Sequence, residues 1–323
     1  MPKRLLIIGN GFDIDLGLRT RYSDFAKSKH WEKLVENTYR FDQDLCAALM
    51  NAKEKEAWFD MEKTMNDYVR AIRSHELTTG LVEMDKSCFV DVTKALSEYL
   101  KEEQTARTLE TNNYAAQVLR LTAEAGSFGY YTFNYTSLSR IADSCGIAID
   151  ESRITHVHGS LENDSIILGV LTNPANQIHE QYSFMYKDNS RFYKSNNMYE
   201  DFNNATDIIF FGHSINGMDF PYFKDFFIKQ SGMGGEYESK HITIFTYDDD
   251  SNQQIRNSIR NAQVDLTQLF RGNNISIIQT KQMYDDDRNE LQKFEVFTKR
   301  LNDIKASKKI VTMPNPNRHR NMW

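Results

Sequence analysis

The feature that most constrains this chain is its first apolar run. Leu5, Leu6, Ile7 and Ile8 follow one another without a polar interruption and stop abruptly at Gly9-Asn10-Gly11. A run of this kind, lacking the alternation of a half-exposed strand, reads as a strand buried on both faces that ends in a tight loop. Gly9 and Gly11 allow positive φ and leave room for another backbone or a phosphate to approach. If a helix opens just beyond them, its unpaired N–H groups and positive dipole end make an anion site. The pattern is that of a strand-loop-helix cradle for a nucleotide pyrophosphate, although Gly-x-Gly also follows strands in α/β proteins that bind nothing there. A third glycine is missing, since Ile14 occupies its place and Gly17 comes too late. A hydride-transferring dehydrogenase is therefore disfavoured.

Beyond the loop, Thr20 or Ser23 could cap a short helix. From Trp31 to about Gln104 the apolar residues recur at helical spacing: Trp31, Leu34, Val35, Phe41, Leu45 and Leu49, then Trp58, Met61, Met65, Tyr68 and Val69, then Val90, Val92, Leu96 and Leu100. Trp58, Asp60 and Glu62 invite a functional reading there, but packing of an amphipathic helix accounts for them. From Tyr114 strands and helices alternate. The runs 130–133, 153–157, 166–170, 207–211, 242–247 and 275–278 read as strands, with helices over 114–125, from Ser137, and over about 289–304. The expected fold class is α/β, with a doubly wound, mostly parallel, Rossmann-like sheet and a helical insertion. Residues 1–28 and 110–307 form the nucleotide-binding core, 29–109 the insertion and 308–323 a C-terminal tail. The polar, aromatic-dotted stretch 172–204 suits a lid, and Gly232, Gly234 and Gly235 mark a flexible turn. The tail would fray alone, so a neighbouring subunit is expected to hold it.

Composition bounds the partners. A formal net charge of -6 offers no general attraction to phosphate backbones, so nucleic acid is not expected as the main partner. The aromatic share of 12% supplies enough large apolar surface to exclude global disorder. Cys46, Cys88 and Cys145 are isolated and odd in number, which predicts small core residues in a reducing compartment rather than a disulfide framework or a zinc site. The first strand begins by residue 4 and leaves no room for a signal peptide, and no apolar run approaches a membrane span. A soluble cytoplasmic protein is expected.

Several apolar strands end in small and polar residues: Gly9-Asn10-Gly11, Asn134, His158-Gly159, Gly212-His213-Ser214 and Asp248. In a doubly wound sheet these ends share one edge, where ligands bind at the topological switch point. Taken singly each has an ordinary structural reading, Asn134 as a turn residue, His158 as a satisfied strand-end histidine and Ser214 as an N-cap. Their order is more specific. Gly9-Asn10-Gly11-Phe12-Asp13, then Gly17-Leu18-x-Thr20-x-Tyr22-x-x-Phe25, Thr132-Phe133-Asn134-Tyr135, His156-Val157-His158-Gly159, and Gly212-His213-Ser214 with Asp219, resembles the bacterial abortive-infection AbiH family. That family looks like a divergent branch of the sirtuin-like NAD-binding fold.

The resemblance implies that Asn134 and His158 act at the nicotinamide ribose. It implies NAD-binding roles for Gly9, Asn10, Gly11, Phe12, Asp13 and Thr20 in the first loop region and for Gly212, His213 and Ser214 in the second. The four cysteines of the sirtuin zinc module are absent, so protein deacylation is in doubt. The expected function is an anti-phage effector that hydrolyses NAD to nicotinamide and ADP-ribose, with NAD as substrate and no metal. His158 would be the general base, and Asn134 would orient ribose or water. A homo-oligomer or a defence-system partner protein would control it, with no membrane involved. Two rivals remain: a sensor that binds NAD or ADP-ribose without turnover, and a nuclease toxin using Mg²⁺ at Asp248-Asp249-Asp250.

Overall fold

Successive side chains of a strand point to opposite faces, and the first strand, β1 (Arg4–Ile8), buries both sets. Leu6 and Ile8 enter one hydrophobic cluster with Phe12, Leu119, Phe128 and Phe297. Leu5 and Ile7 enter another on the far face, with Phe202, Phe210, Phe223 and Ile242. This two-sided burial is the physical reason for the unbroken apolar run. The computed structural model describes residues 2–37, 44–55, 60–72, 77–171, 178–194, 196–215, 217–233 and 235–312.

Five further strands follow: β2 (Phe128–Thr132), β3 (Ile154–His156), β4 (Asp207–Phe211), β5 (His241–Thr246) and β6 (Asn274–Gln279). They form one six-stranded sheet in the order β3-β2-β1-β4-β5-β6, and every neighbouring pair is parallel. Strand order reverses direction between β1 and β4, as in Rossmann-like sheets, so the switch point lies where the loop after β1 meets the loop after β4. The run 166–170 is not a strand of this sheet. Its one ladder contact is an isolated bridge between Val170 and Tyr186. Ile166, Leu168 and Val170 instead pack into a third cluster, formed with the helical region.

That region contains the helices Lys29–Asn37, Leu45–Lys55, Met61–Ala71 and Thr79–Ala106. Trp31, Leu49, Met65 and Leu96 fill its core together with Leu161, Tyr182 and Met185 from the chain that returns after β3. A buried Asp85 ties the parts: it accepts from the Leu45 amide (2.8 Å) and from the hydroxyls of Tyr68 (2.7 Å) and Tyr182 (2.5 Å). Cys46 and Cys88 are joined in a disulfide, which corrects the expectation of isolated reduced thiols. Two helices, not a spacing motif, bring their Cα atoms to 6.0 Å. Cys145 is buried and free. Arg21, not Thr20 or Ser23, occupies the N-cap position of the short helix Tyr22–Phe25, and its amide donates to Asp24 Oδ2 at 3.2 Å. The last helix, Arg288–Thr312, continues beyond the predicted end. Phe41, Trp58, Gly234 and residues 172–177 and 313–323 lie outside the described residues. No described helix is long and apolar enough to cross a membrane.

Candidate functional site

At the switch point two loops cross in direct contact. Gly9 donates its amide to Phe211 O at 3.0 Å, and Gly11 donates to Gly212 O at 2.9 Å. A Cβ on Gly11 would lie 2.7 Å from Gly212 Cα, and one on Gly212, at φ +65°, would lie 2.3 Å from the Phe12 nitrogen. The glycines are thus required by the approach of the two loops to each other. The helix Asn10–Asp15 opens immediately after Gly9. Phe12 is a core ring, edge-on to Phe211, while the side chains of Asn10 and Thr20 meet at the loop surface.

Asn134 follows β2 and reaches back to this loop. Its Nδ2 donates to Gly9 O at 3.1 Å and to Asp13 Oδ1 at 2.8 Å. Because a peptide carbonyl can only accept, the amide group must point its NH₂ this way. Both its hydrogens are engaged, which leaves Oδ1 as the atom able to accept from a ligand. Thr136 completes the arrangement by donating to Asp13 Oδ2 at 2.7 Å. Burial raises the Asp13 carboxyl from 3.8 to about 6, against the lowering effect of its bonds from Thr136 and Asn134.

His158 stands two residues beyond β3 and is 4% exposed. Its position is set by backbone: the Val157 amide continues the ladder to Thr132 O (2.9 Å), and His158 O accepts from Ile167 (2.8 Å). The ring of Phe133 packs edge-on to both His158 (5.3 Å between centroids) and His213 (4.5 Å), so one aromatic residue spans the ends of β3 and β4. His213 in turn backs onto Gly9, where an added Cβ would lie 2.6 Å from His213 Cα. Asn134, His158 and the two glycine loops therefore occupy one end of the sheet. Ser214 is exposed on the β4 loop. The next residue, Ile215, is held at φ +48°, an unfavourable conformation for a β-branched side chain. Its amide donates to His213 Nδ1 at 2.9 Å, which places the His213 proton on Nε2.

A set of charged side chains surrounds His158 that no single sequence motif announces. Asp219 Oδ1 lies 3.3 Å from His158 Nε2, and Asp219 Oδ2 lies 3.9 Å from His213 Nε2. Lys187, fully buried, places Nζ 3.0 Å from Glu62 Oε2, 3.4 Å from His158 Nδ1 and 3.9 Å from Asp219 Oδ1. Glu62 comes from the helix Met61–Ala71, and its Oε1 also accepts from the Gly169 amide at 3.3 Å. Burial raises Glu62 to about 7, with Lys187 opposing. Asp219 is likewise raised by burial. His158 is held well below the ordinary histidine range, first by burial and then by the charge of Lys187, and His213 is lowered to about 3 by burial. Burial and the neighbouring charge thereby both favour the neutral form of the His158 imidazole.

Asp219 belongs to the motif order, whereas the expectation that Glu62 only packs an amphipathic helix is corrected by its ion pair with Lys187. Lys187 carries no local sequence signal, because its partner Glu62 lies 125 residues away. Asp248 caps the helix Asp249–Asn261 by accepting from Ser251, and Asp249 and Asp250 occupy its first turn. Among the described residues no group of three or more His, Cys, Asp or Glu side chains is arranged to hold a metal ion. In comparison with known proteins, the family model described as bacteriophage abortive infection AbiH matches residues 5–233. No curated protein matches the chain.

Proposed function

The chain belongs to the bacteriophage abortive infection AbiH family, a membership that supports an anti-phage defence role, and from it we propose a sirtuin-like NAD glycohydrolase as the defence activity. The observation that carries this reading is that Asn134, whose Oδ1 is left to accept, and the buried His158 lie at the same end of the sheet as the β1–β4 switch point. The C1′–N bond of NAD breaks with its electron pair going to the pyridinium nitrogen, which releases neutral nicotinamide. Positive charge builds on the ribose, as in other glycosyl transfers. Water adds to C1′ and gives its proton to His158, leaving ADP-ribose; proton transfer of this type is worth about 10²–10⁴ in rate. Asn134 Oδ1 accepts from a ribose hydroxyl or from the attacking water. The loops at Gly9–Gly11 and Gly212–Ser214, with Asn10 and Thr20 at the surface, flank the dinucleotide, while Phe12 and Asp13 support them from below.

His158 is almost wholly enclosed, so a dinucleotide must displace part of its cover before cleavage. An activity that stays off until infection or assembly triggers it fits that enclosure, since continuous NAD loss would kill the host. The same enclosure favours a second reading, in which the site binds NAD or ADP-ribose and does not turn it over. Incubating the full-length protein with NAD and following nicotinamide release separates the two. Release that disappears in His158→Ala and Asn134→Ala supports cleavage; a saturable site that returns NAD whole supports a sensor.

A further inference from the structure

Lys187 is the least expected residue in the molecule. A lysine is seldom fully buried unless paired, yet its side chain has no solvent exposure and ends within reach of the residue proposed as the general base. An ammonium has three donors and no acceptor, and Lys187 Nζ lies 3.4 Å from Nδ1 and 3.5 Å from Nε2 of His158, nearly equidistant from the two ring nitrogens. Asp219 Oδ1 lies 3.3 Å from Nε2 without forming a hydrogen bond to it. At 3.4 Å the Lys187 contact is longer than the about 2.7–2.9 Å of a full charge-assisted bond. Lys187 therefore acts on the imidazole through its charge, without a full hydrogen bond to either nitrogen. Its own position is fixed from the opposite side by Glu62, carried on a helix of the helical region, and by backbone: Lys187 N donates to Val170 O at 2.8 Å.

We propose that Lys187, anchored by Glu62, is a positioning residue that packs its charge against the His158 ring and holds that ring in place as a neutral imidazole, so that the helical region completes the site. The groups facing His158 are Lys187 from the segment after residue 178, Asp219 from the turn Gly217–Asp219, His213 from the loop after β4, and Tyr222 from the helix Pro221–Gln230, whose ring centroid is 6.1 Å away. Of these Lys187 is the close cation, and removing it raises the proton affinity of the imidazole. The removal of Glu62, which meets His158 only through Lys187, has the smaller, opposite effect.

The role given to His158 rests on the NAD-cleaving reading, but the test does not need NAD. Imidazole ¹⁵N and ¹H resonances of His158 are followed from pH 5.5 to 8 in the full-length wild type, in Lys187→Met, in Glu62→Gln/Lys187→Met and in Lys187→Arg. The double variant removes both charges together, so that no orphan charge is buried and the fold is retained. Wild type and Lys187→Arg should keep His158 neutral across the range. The two methionine variants should shift the His158 transition upward by at least about one unit, a tenfold gain in proton affinity. A His158 spectrum unchanged in either folded methionine variant overturns the proposal. A wild type that leaves NAD whole refutes the cleavage reading but leaves the imidazole result standing, so the two failures are distinguishable. Where NAD is cleaved, the methionine variants should lose rate preferentially at acid pH, with KM nearly unchanged and the arginine variant close to wild type.

Discussion

Asp13→Asn separates what the Asp13 carboxylate contributes to the fold from what it contributes to the site. Asp13 is buried at 1% exposure and accepts from Asn134 and Thr136. Folding raises its pKa from 3.8 to about 6, so the native state favours the protonated acid. The stabilisation is fully present below the unfolded pKa and is lost as pH rises through about 6. Two units of displacement correspond to about 3 kcal/mol in all, of which about 2 kcal/mol falls between pH 4.5 and 7. Asparagine is isosteric with the protonated acid: its carbonyl can accept from Asn134, and its NH₂ can donate to the Thr136 hydroxyl. The variant should therefore keep the acid-form stability at pH 7, where wild type has lost it. Urea unfolding of both proteins across pH 4.5–7.5 gives the difference directly. Relative to wild type, the variant should gain about 2 kcal/mol over that range while its NAD-cleaving activity falls. A difference that stays flat with pH would refute the reasoning, because other titrating groups are common to both proteins and cancel.

Three further outcomes follow from the packing. Gly212→Ala, at φ +65° and with its new Cβ 2.3 Å from the Phe12 nitrogen, should part the two switch-point loops and cost about 3 kcal/mol in urea unfolding. Asp85→Ala leaves the Leu45 amide and the Tyr68 and Tyr182 hydroxyls without their acceptor, and should cost about 3 kcal/mol, with early proteolysis confined to the helical region. Alkylation of the denatured, unreduced protein should mark Cys145 alone, and reduction should expose all three thiols; three marks without reductant would show that the Cys46–Cys88 bond does not form.

The parts of the fold legible in the sequence were those written in local chemistry. The apolar run ending at Gly9 announced a strand buried on both faces, and the polar strand ends announced a shared edge, because parallel strands bring their C-terminal ends together. The run 166–170 misled because branched apolar residues suit a strand and a core segment equally, and only the helical cluster decided between them. The disulfide was hidden because its spacing of 42 residues belongs to helix packing rather than to a motif. The site divides in the same way. Asn134 and His158 follow strands that could be read, whereas Glu62 and Lys187 meet only after the helical region folds back over the end of the sheet.

The most direct test of the central claim is the fate of NAD itself. Full-length wild type, His158→Ala and Asn134→Ala are incubated with NAD under conditions that assemble the defence system, and nicotinamide and ADP-ribose are quantified by chromatography. Equimolar release of both products by the wild type, with none from either folded variant, is the result this account predicts. NAD recovered intact from the wild type, or product formed equally by all three proteins, would contradict it.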